Sequence, residues 1–260
     1  RVKVSDYGEK ELVSIFTNFF EQKKFQKNPF IAKEISKGIK QIKEAVKLAW
    51  LEEDFNDRTN MPFSQFFFRG HADKSWLLKP SVFRGQYDER FFYHEMQRLE
   101  PGVFKNNSVF DNLALMQHYA CPTRLLDVSF NPLVSLYFAC KEEKDTDGLV
   151  YIFNRIDFAN EDDADVSALS KLALLNGKQK LELKKDLKNN ALNENGYYAQ
   201  IMNKLDFVKE YFLEPVLVKP KFLAPRIKQQ AGAFVIAPFD DQEVEDFMKS
   251  ICCGSILSPA

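Results

Sequence analysis

With 260 residues, 45% of them hydrophobic and 14% aromatic, the chain is long enough to bury one large core or two small ones. Its 36 basic and 37 acidic residues leave a formal net charge of -1, so no global field draws it to nucleic acid or to an anionic membrane. No run of about 18 apolar residues exists, and no membrane-spanning helix is expected.

The opening residues, Arg1 to Asp6, lack the apolar core of a signal peptide, so a cytoplasmic setting is expected. Residues 9–26 read as an amphipathic helix, with Leu12, Ile15, Phe16, Phe19 and Phe20 at helical spacing. Asn28-Pro29 breaks it, and a second helix follows through Ile31, Ile35, Ile39, Ile42, Val46 and Ala49. This pair reads as scaffold or as a surface for a protein partner. Phe63 to Arg69 then reads as an apolar strand, followed by a short connection to Pro80.

Helices are expected over 87–99 and 109–119, the second stopped by Pro122. Asn131-Pro132 reads as a cap and first turn for a helix that is apolar on most sides and therefore buried. Gly148 to Phe153 is a strand, and 216–218 and 233–236 are further strands. Residues 240–250 could form a final helix. The polar stretch from about 157 to 200 reads as a helical insertion over the core, a lid in its boldest form. Strands and helices do not alternate regularly, which argues for an α+β fold with a mixed or antiparallel sheet.

Four cysteines, Cys121, Cys140, Cys252 and Cys253, form no CxxC pair and read as reduced thiols. Three histidines, His71, His94 and His118, show no metal-ligand spacing, so no metal is expected. Lys-rich runs at 178–188 and 219–228 are the only support for nucleic acid, and such runs usually are solvated faces.

The candidate chemistry lies in a few polar groups. Arg69 ends an apolar strand, where its fork suits a phosphate or carboxylate, and Gly70 admits close approach by ligand or backbone. The plainer alternative is a salt bridge to Asp127 or Glu95. His118 is a general base or hydrogen-bond donor in one reading and a satisfied structural group in the other. Arg124 and Asp127 flank Leu125 and Leu126, either as ligand groups or as each other's partner. Thr123 and Ser129 supply hydroxyls, but neither sits in a GxSxG elbow, which argues against serine hydrolysis. Gln230, ahead of Gly232-Ala233-Phe234, can read a ribose hydroxyl or an amide edge, or can lie in a solvated turn.

In order along the chain, Phe68-Arg69-Gly70, Trp76, Leu78, Pro80-Ser81, Gln117-His118-Tyr119, Pro122-Thr123-Arg124-Leu125-Leu126-Asp127, Asn131-Pro132 and Tyr137-Phe138-Ala139 resemble the FRG domain. The resemblance covers roughly residues 63–153, and the Gln230 segment looks like the family's continuation. It implies an N-terminal helical region over 1–60 and an FRG domain over 61–260, interrupted by the insertion.

A more distant similarity is to ADP-ribosyltransferases, which place an Arg-Gly or His-Gly strand first, then a Ser/Thr strand before an Ala-x-x-Phe-Ala helix, then a strand with a catalytic Glu. Phe68-Arg69-Gly70, Asp127-Val128-Ser129 with Ser135 to Ala139, and Gln230 match these in turn. The similarity implies NAD or another nucleotide as substrate. Arg69, Gly70, Thr123, Arg124, Ser129 and Asn131 would hold the ligand, with His118, Asp127, Gln230 and Glu95 in catalytic roles. Glutamine at 230 departs from the pattern, because it cannot supply the negative charge that steadies an oxocarbenium-like transition state. Glu95 and Asp127 are the carboxylates that could replace it. A bacterial toxin or anti-phage protein is the setting implied by analogy. The alternative is a non-enzymatic interaction module whose polar groups form a structural network.

Overall fold

The structure, a computed structural model, describes residues 65–104, 106–140, 146–155, 158–189, 214–221, 232–239 and 252–258, with isolated positions 40, 212, 245, 246, 248 and 249. Nearly all of the two helices read over 9–26 and 31–49, the segment around Gln230, and much of 240–250 lie outside the described residues. The fold is α+β with mixed strand pairing. Two compact units divide the chain: Arg1–Trp76, Ser129–Asn154 and Cys252–Ala260 in the first, Leu77–Val128 and Arg155–Ile251 in the second.

In the first unit, strand β1 (Gln65–His71) runs two residues beyond the end expected from the sequence. Alternation along a strand puts Phe67, Arg69 and His71 on one face and Phe68 and Gly70 on the other. Phe68 pairs antiparallel with Ser129, the last residue of β2 (Leu125–Ser129). Strand β3 (Gly148–Arg155) pairs antiparallel with β7 (Cys252–Ser258) from Gly148↔Ser258 to Phe153↔Cys252, with an irregularity after Ile152.

Helix α4 (Pro132–Cys140) packs on β1. Asn131 caps it as expected: its Oδ1 accepts from the Leu133 amide at 3.0 Å, and its own amide donates to Ser129 Oγ at 2.9 Å. Leu133, Ser135, Leu136 and Ala139 are buried, in keeping with the apolar sequence of this helix. Two glycines make its approach possible. A Cβ at Gly70 would stand 1.8 Å from the Ser135 carbonyl oxygen, and one at Gly148 would stand 2.2 Å from that of Ala139. Glycine inside a strand here marks close backbone contact rather than a strand end.

The second unit holds α1 (Glu89–Leu99), α2 (Pro101–Phe104), α3 (Val109–His118), α5 (Ala164–Lys171) and α6 (Gly177–Lys188), with strands in the order β4-β5-β6-β2. Strand β4 (Ala159–Asn160) runs parallel to β5 (Val216–Lys219), and β5 is antiparallel to β6 (Gly232–Ile236) in the register Leu217↔Val235. Local signals start the helices. Asp88 accepts from the Phe91 amide, Ser108 and Asp111 form a capping box on α3, and Asn176 and Gln179 form one on α6.

The core joins Phe110, Leu113 and Met116 of α3 to Val166 and Leu169 of α5, Leu183 and Leu187 of α6, and Val218, Phe234 and Ile236 of the strands. Residues 164–188 therefore carry core side chains, although their composition reads as a polar cover. One apolar stripe on each helix suffices for this, with charge left on the remaining surface. No described helix is long and apolar enough to cross a membrane.

Candidate functional site

Alternation on β1 projects Arg69 from the face opposite α4, where aromatic rings surround its neighbours. Phe67 stacks on Phe153 with centroids 4.9 Å apart, and His71 meets Tyr151 edge-on at 5.3 Å and Trp76 at 5.9 Å. Arg69 is half-buried, whereas His71 has no exposed surface. Arg69 Nε donates to His71 Nε2 at 2.9 Å. A guanidinium can only donate, so this imidazole nitrogen is the acceptor. Gly70, between them, serves the packing of α4. The Phe-Arg-Gly triplet thus has two faces, one for the helix and one for the charge.

The second unit contains a buried charge cluster. Arg124 has no exposed surface. Its Nη2 donates to Glu89 Oε2 at 2.6 Å, its Nη1 to the Pro238 carbonyl at 2.8 Å, and its backbone amide to Glu89 Oε1 at 2.9 Å. Lys180 Nζ reaches the same Oε2 at 3.2 Å, and its side chain keeps 23% exposure as the cluster's link to solvent. Burial alone would push the Glu89 carboxyl up, but the charges of Arg124 and Lys180 and their hydrogen bonds outweigh it and hold the group below its ordinary value. For Lys180 burial, reinforced by the positive charge of Arg124, wins over Glu89 and lowers the amine. One carboxylate therefore serves two cations.

A separate polar chain starts at Thr123, also without exposed surface. The Thr123 hydroxyl donates to Gln117 Oε1, which orients the amide so that Nε2 donates to Asp127 Oδ2 at 2.8 Å. Asp127 also acts on the Arg84 guanidinium. Arg124 and Asp127 thus have different partners, and the mutual pairing open in the sequence is absent. Asp127 stands on the exposed face of β2 between buried neighbours.

Glu95 lies on the outer side of α1, where Arg98 grips it at 2.7 and 3.1 Å and holds its carboxyl below the ordinary value. His118 is exposed at the end of α3 against the ring of Tyr119, 5.4 Å away. Ser129 and Asn131 form the cap of α4. Gln230 lies outside the described residues. Thr123, Asp127 and Gln117 come together; Arg124 sits in its own cluster; Arg69 and Gly70 belong to the other unit.

Sequence reasoning passed over His71, Glu89 and Lys180. Only His71 carried a readable signal, two positions after Arg69 and hence on the same strand face. Glu89 and Lys180 are far apart along the chain, and only the fold joins them. Among the described residues no cluster of three His, Cys, Asp or Glu side chains could hold a metal ion.

No curated protein and no solved structure gives a significant match to the chain. The family model that matches is that of the FRG domain, over residues 64–148. That span runs from β1 with its Phe-Arg-Gly triplet, through the Thr123–Asp127 segment, to the glycine that opens β3. Residues 64–148 of this chain carry an FRG domain.

Proposed function

We propose that the FRG domain binds a nucleotide of the NAD or ADP-ribose class, with Arg69 as its phosphate-recognising group. The observation that carries this reading is the half-buried Arg69 guanidinium on a strand face shared with aromatic rings, Tyr151 and the part-exposed Trp76 among the nearby ones. A planar guanidinium matches phosphate oxygens two at a time, and aromatic faces stack on bases. The chemistry proposed is ADP-ribosyl transfer or cleavage of the nicotinamide bond, in a bacterial cytoplasmic toxin or anti-phage effector.

Calorimetric titration of the full chain with NAD, ADP-ribose and ATP tests the binding. We expect saturable heat for at least the first two and a loss of about tenfold or more in affinity for Arg69→Ala. Absence of heat for every nucleotide, or unchanged affinity in Arg69→Ala, removes the reading.

A second reading, a non-enzymatic interaction module, has its own observation. The Arg124 cluster is satisfied within the protein, and α1 leaves Phe91 and Leu99 58% and 60% exposed. On that reading the N-terminal segment or this helix meets a protein partner, and the polar groups hold the fold.

A further inference from the structure

We propose that α1 is a contact between two copies of this chain, paired antiparallel along the face that carries Phe91, Glu95, Arg98 and Leu99. The proposal does not rest on the nucleotide reading, because a catalyst and a scaffold are equally compatible with a dimer. It names the partner for a surface that the second reading leaves open.

Among the described residues, Phe91 and Leu99 are the most exposed of the large apolar side chains, at 58% and 60%. They stand about two turns apart on one helix, so they share a face and are separated by about 12 Å along its axis. Phe91 extends its apolar end through an edge contact with the Phe92 ring, 5.8 Å away, and Phe92 in turn meets the exposed Tyr87. The opposite side of α1 already packs, with Glu89 and Tyr93 buried. An exposed apolar face with polar groups beside it marks a protein contact rather than a solvated helix.

The charge between the two apolar ends identifies the occupant. Along the face, Phe91 is followed by the acid Glu95, the base Arg98 and then Leu99. Turned end for end, the same face reads Leu99, Arg98, Glu95, Phe91. A second copy laid antiparallel therefore sets its Leu99 against Phe91 and its Arg98 toward Glu95, and the twofold axis repeats both contacts. Parallel pairing would put Glu95 on Glu95 and Arg98 on Arg98 and would align the two helix dipoles, so it is disfavoured. Within one chain, Arg98 donates to Glu95 from Nε at 3.1 Å and from Nη2 at 2.7 Å. A guanidinium has more donors than these bonds use, so the same fork serves a second carboxylate while keeping the first. Arg98 is exposed and Glu95 partly so, and the pairing needs no rearrangement of the core. One helix of 11 residues is a small patch, which puts the expected strength at the weak end, a Kd of about 10–100 μM.

Sedimentation equilibrium of the full chain from about 5 to about 500 μM tests the contact, with folding followed by circular dichroism. Wild type should pass from monomer to dimer, and Phe91→Ala should weaken the dimer about tenfold. Glu95→Arg and Arg98→Glu each put like charges in the middle of the face, and each should weaken self-association by about tenfold or more. Mixing these two variants brings a pair of arginines to a pair of glutamates, and the mixture should associate about as strongly as wild type. Only α1 meeting α1 restores association in this way.

A wild type that stays monomeric overturns the proposal and leaves the face to a different protein. Self-association unchanged in the single variants, or variants that remain monomeric when mixed, overturns it as well. Titration of NAD into the same samples reports on the nucleotide reading separately, so failure of either leaves the other standing.

Discussion

Arg124 and Arg69 are the two guanidinium groups that stand out in the sequence, and the two units treat them in opposite ways. Arg124 is sealed from water and meets a carboxylate, main-chain carbonyls and, through that carboxylate, a second cation. Arg69 is half-buried, and the partner at its Nε is the His71 imidazole. Charge compensation inside the protein makes Arg124 a scaffold: the cluster ties the start of α1 to β2 and to α6. At Arg69 the Nε–H ends on an imidazole nitrogen rather than on a main-chain carbonyl or the buried glutamate that holds Arg124. Arginine content alone therefore does not locate a ligand site; the identity of the acceptor separates the two roles.

The sharpest way to break this contrast is to remove Arg124. Arg124→Ala leaves the Glu89 carboxylate buried beside Lys180 alone, and about 3–5 kcal/mol of stability should disappear in urea unfolding. Arg124→Lys should recover only part of it, because an ammonium cannot span the carboxylate and the Pro238 carbonyl as the fork does. The pH dependence has a defined sign. The folded-state pKa of Glu89 lies below its ordinary 4.5, so its contribution is complete above that value and is lost as pH falls through the lower folded value. The stability gap between wild type and Glu89→Gln should accordingly narrow only in acid below about 4.5, and a gap unchanged there contradicts the charged pair.

The next effect tests the packing beneath Arg69. Gly70→Ala puts a methyl group where the Ser135 carbonyl oxygen stands 1.8 Å away, and backbone on both sides has little room to yield. A loss of about 3 kcal/mol is expected in the same unfolding assay. A loss below about 1 kcal/mol would mean that α4 can lift from β1 at little cost, and the triplet would lose its structural half.

Much of the architecture was legible because its signals are local. Asn131-Pro132 marked the start of α4, the apolar runs marked β1, β3, β5 and β6, and the spacing of Phe91, Phe92 and Met96 marked α1. The alternation that puts His71 beside Arg69 was also present, hidden by ending the strand at Arg69. The partners of Arg124 were not legible. Glu89 lies 35 residues before it and Pro238 lies 114 after it, and nothing local distinguishes Glu89 from Glu95 on the same helix. One faces inward to Arg124 and the other outward to Arg98, a choice made by which stripe of α1 meets the core. Which side chains of residues 164–188 enter the core was illegible for a related reason: composition averages over a helix, whereas burial follows one face.

The smallest effect completes the contrast. Arg69→Ala takes one donor from the His71 ring. Loss of one hydrogen bond costs about 1 kcal/mol, several times less than the figure for Arg124. Urea midpoints for the two alanine variants, at equal slope, give the comparison directly. If Arg69→Ala proves as destabilising as Arg124→Ala, then Arg69 too is held by compensated charge, and both arginines are scaffold. If it remains near 1 kcal/mol while nucleotide affinity falls about tenfold, the energy of Arg69 is spent on ligand rather than on fold.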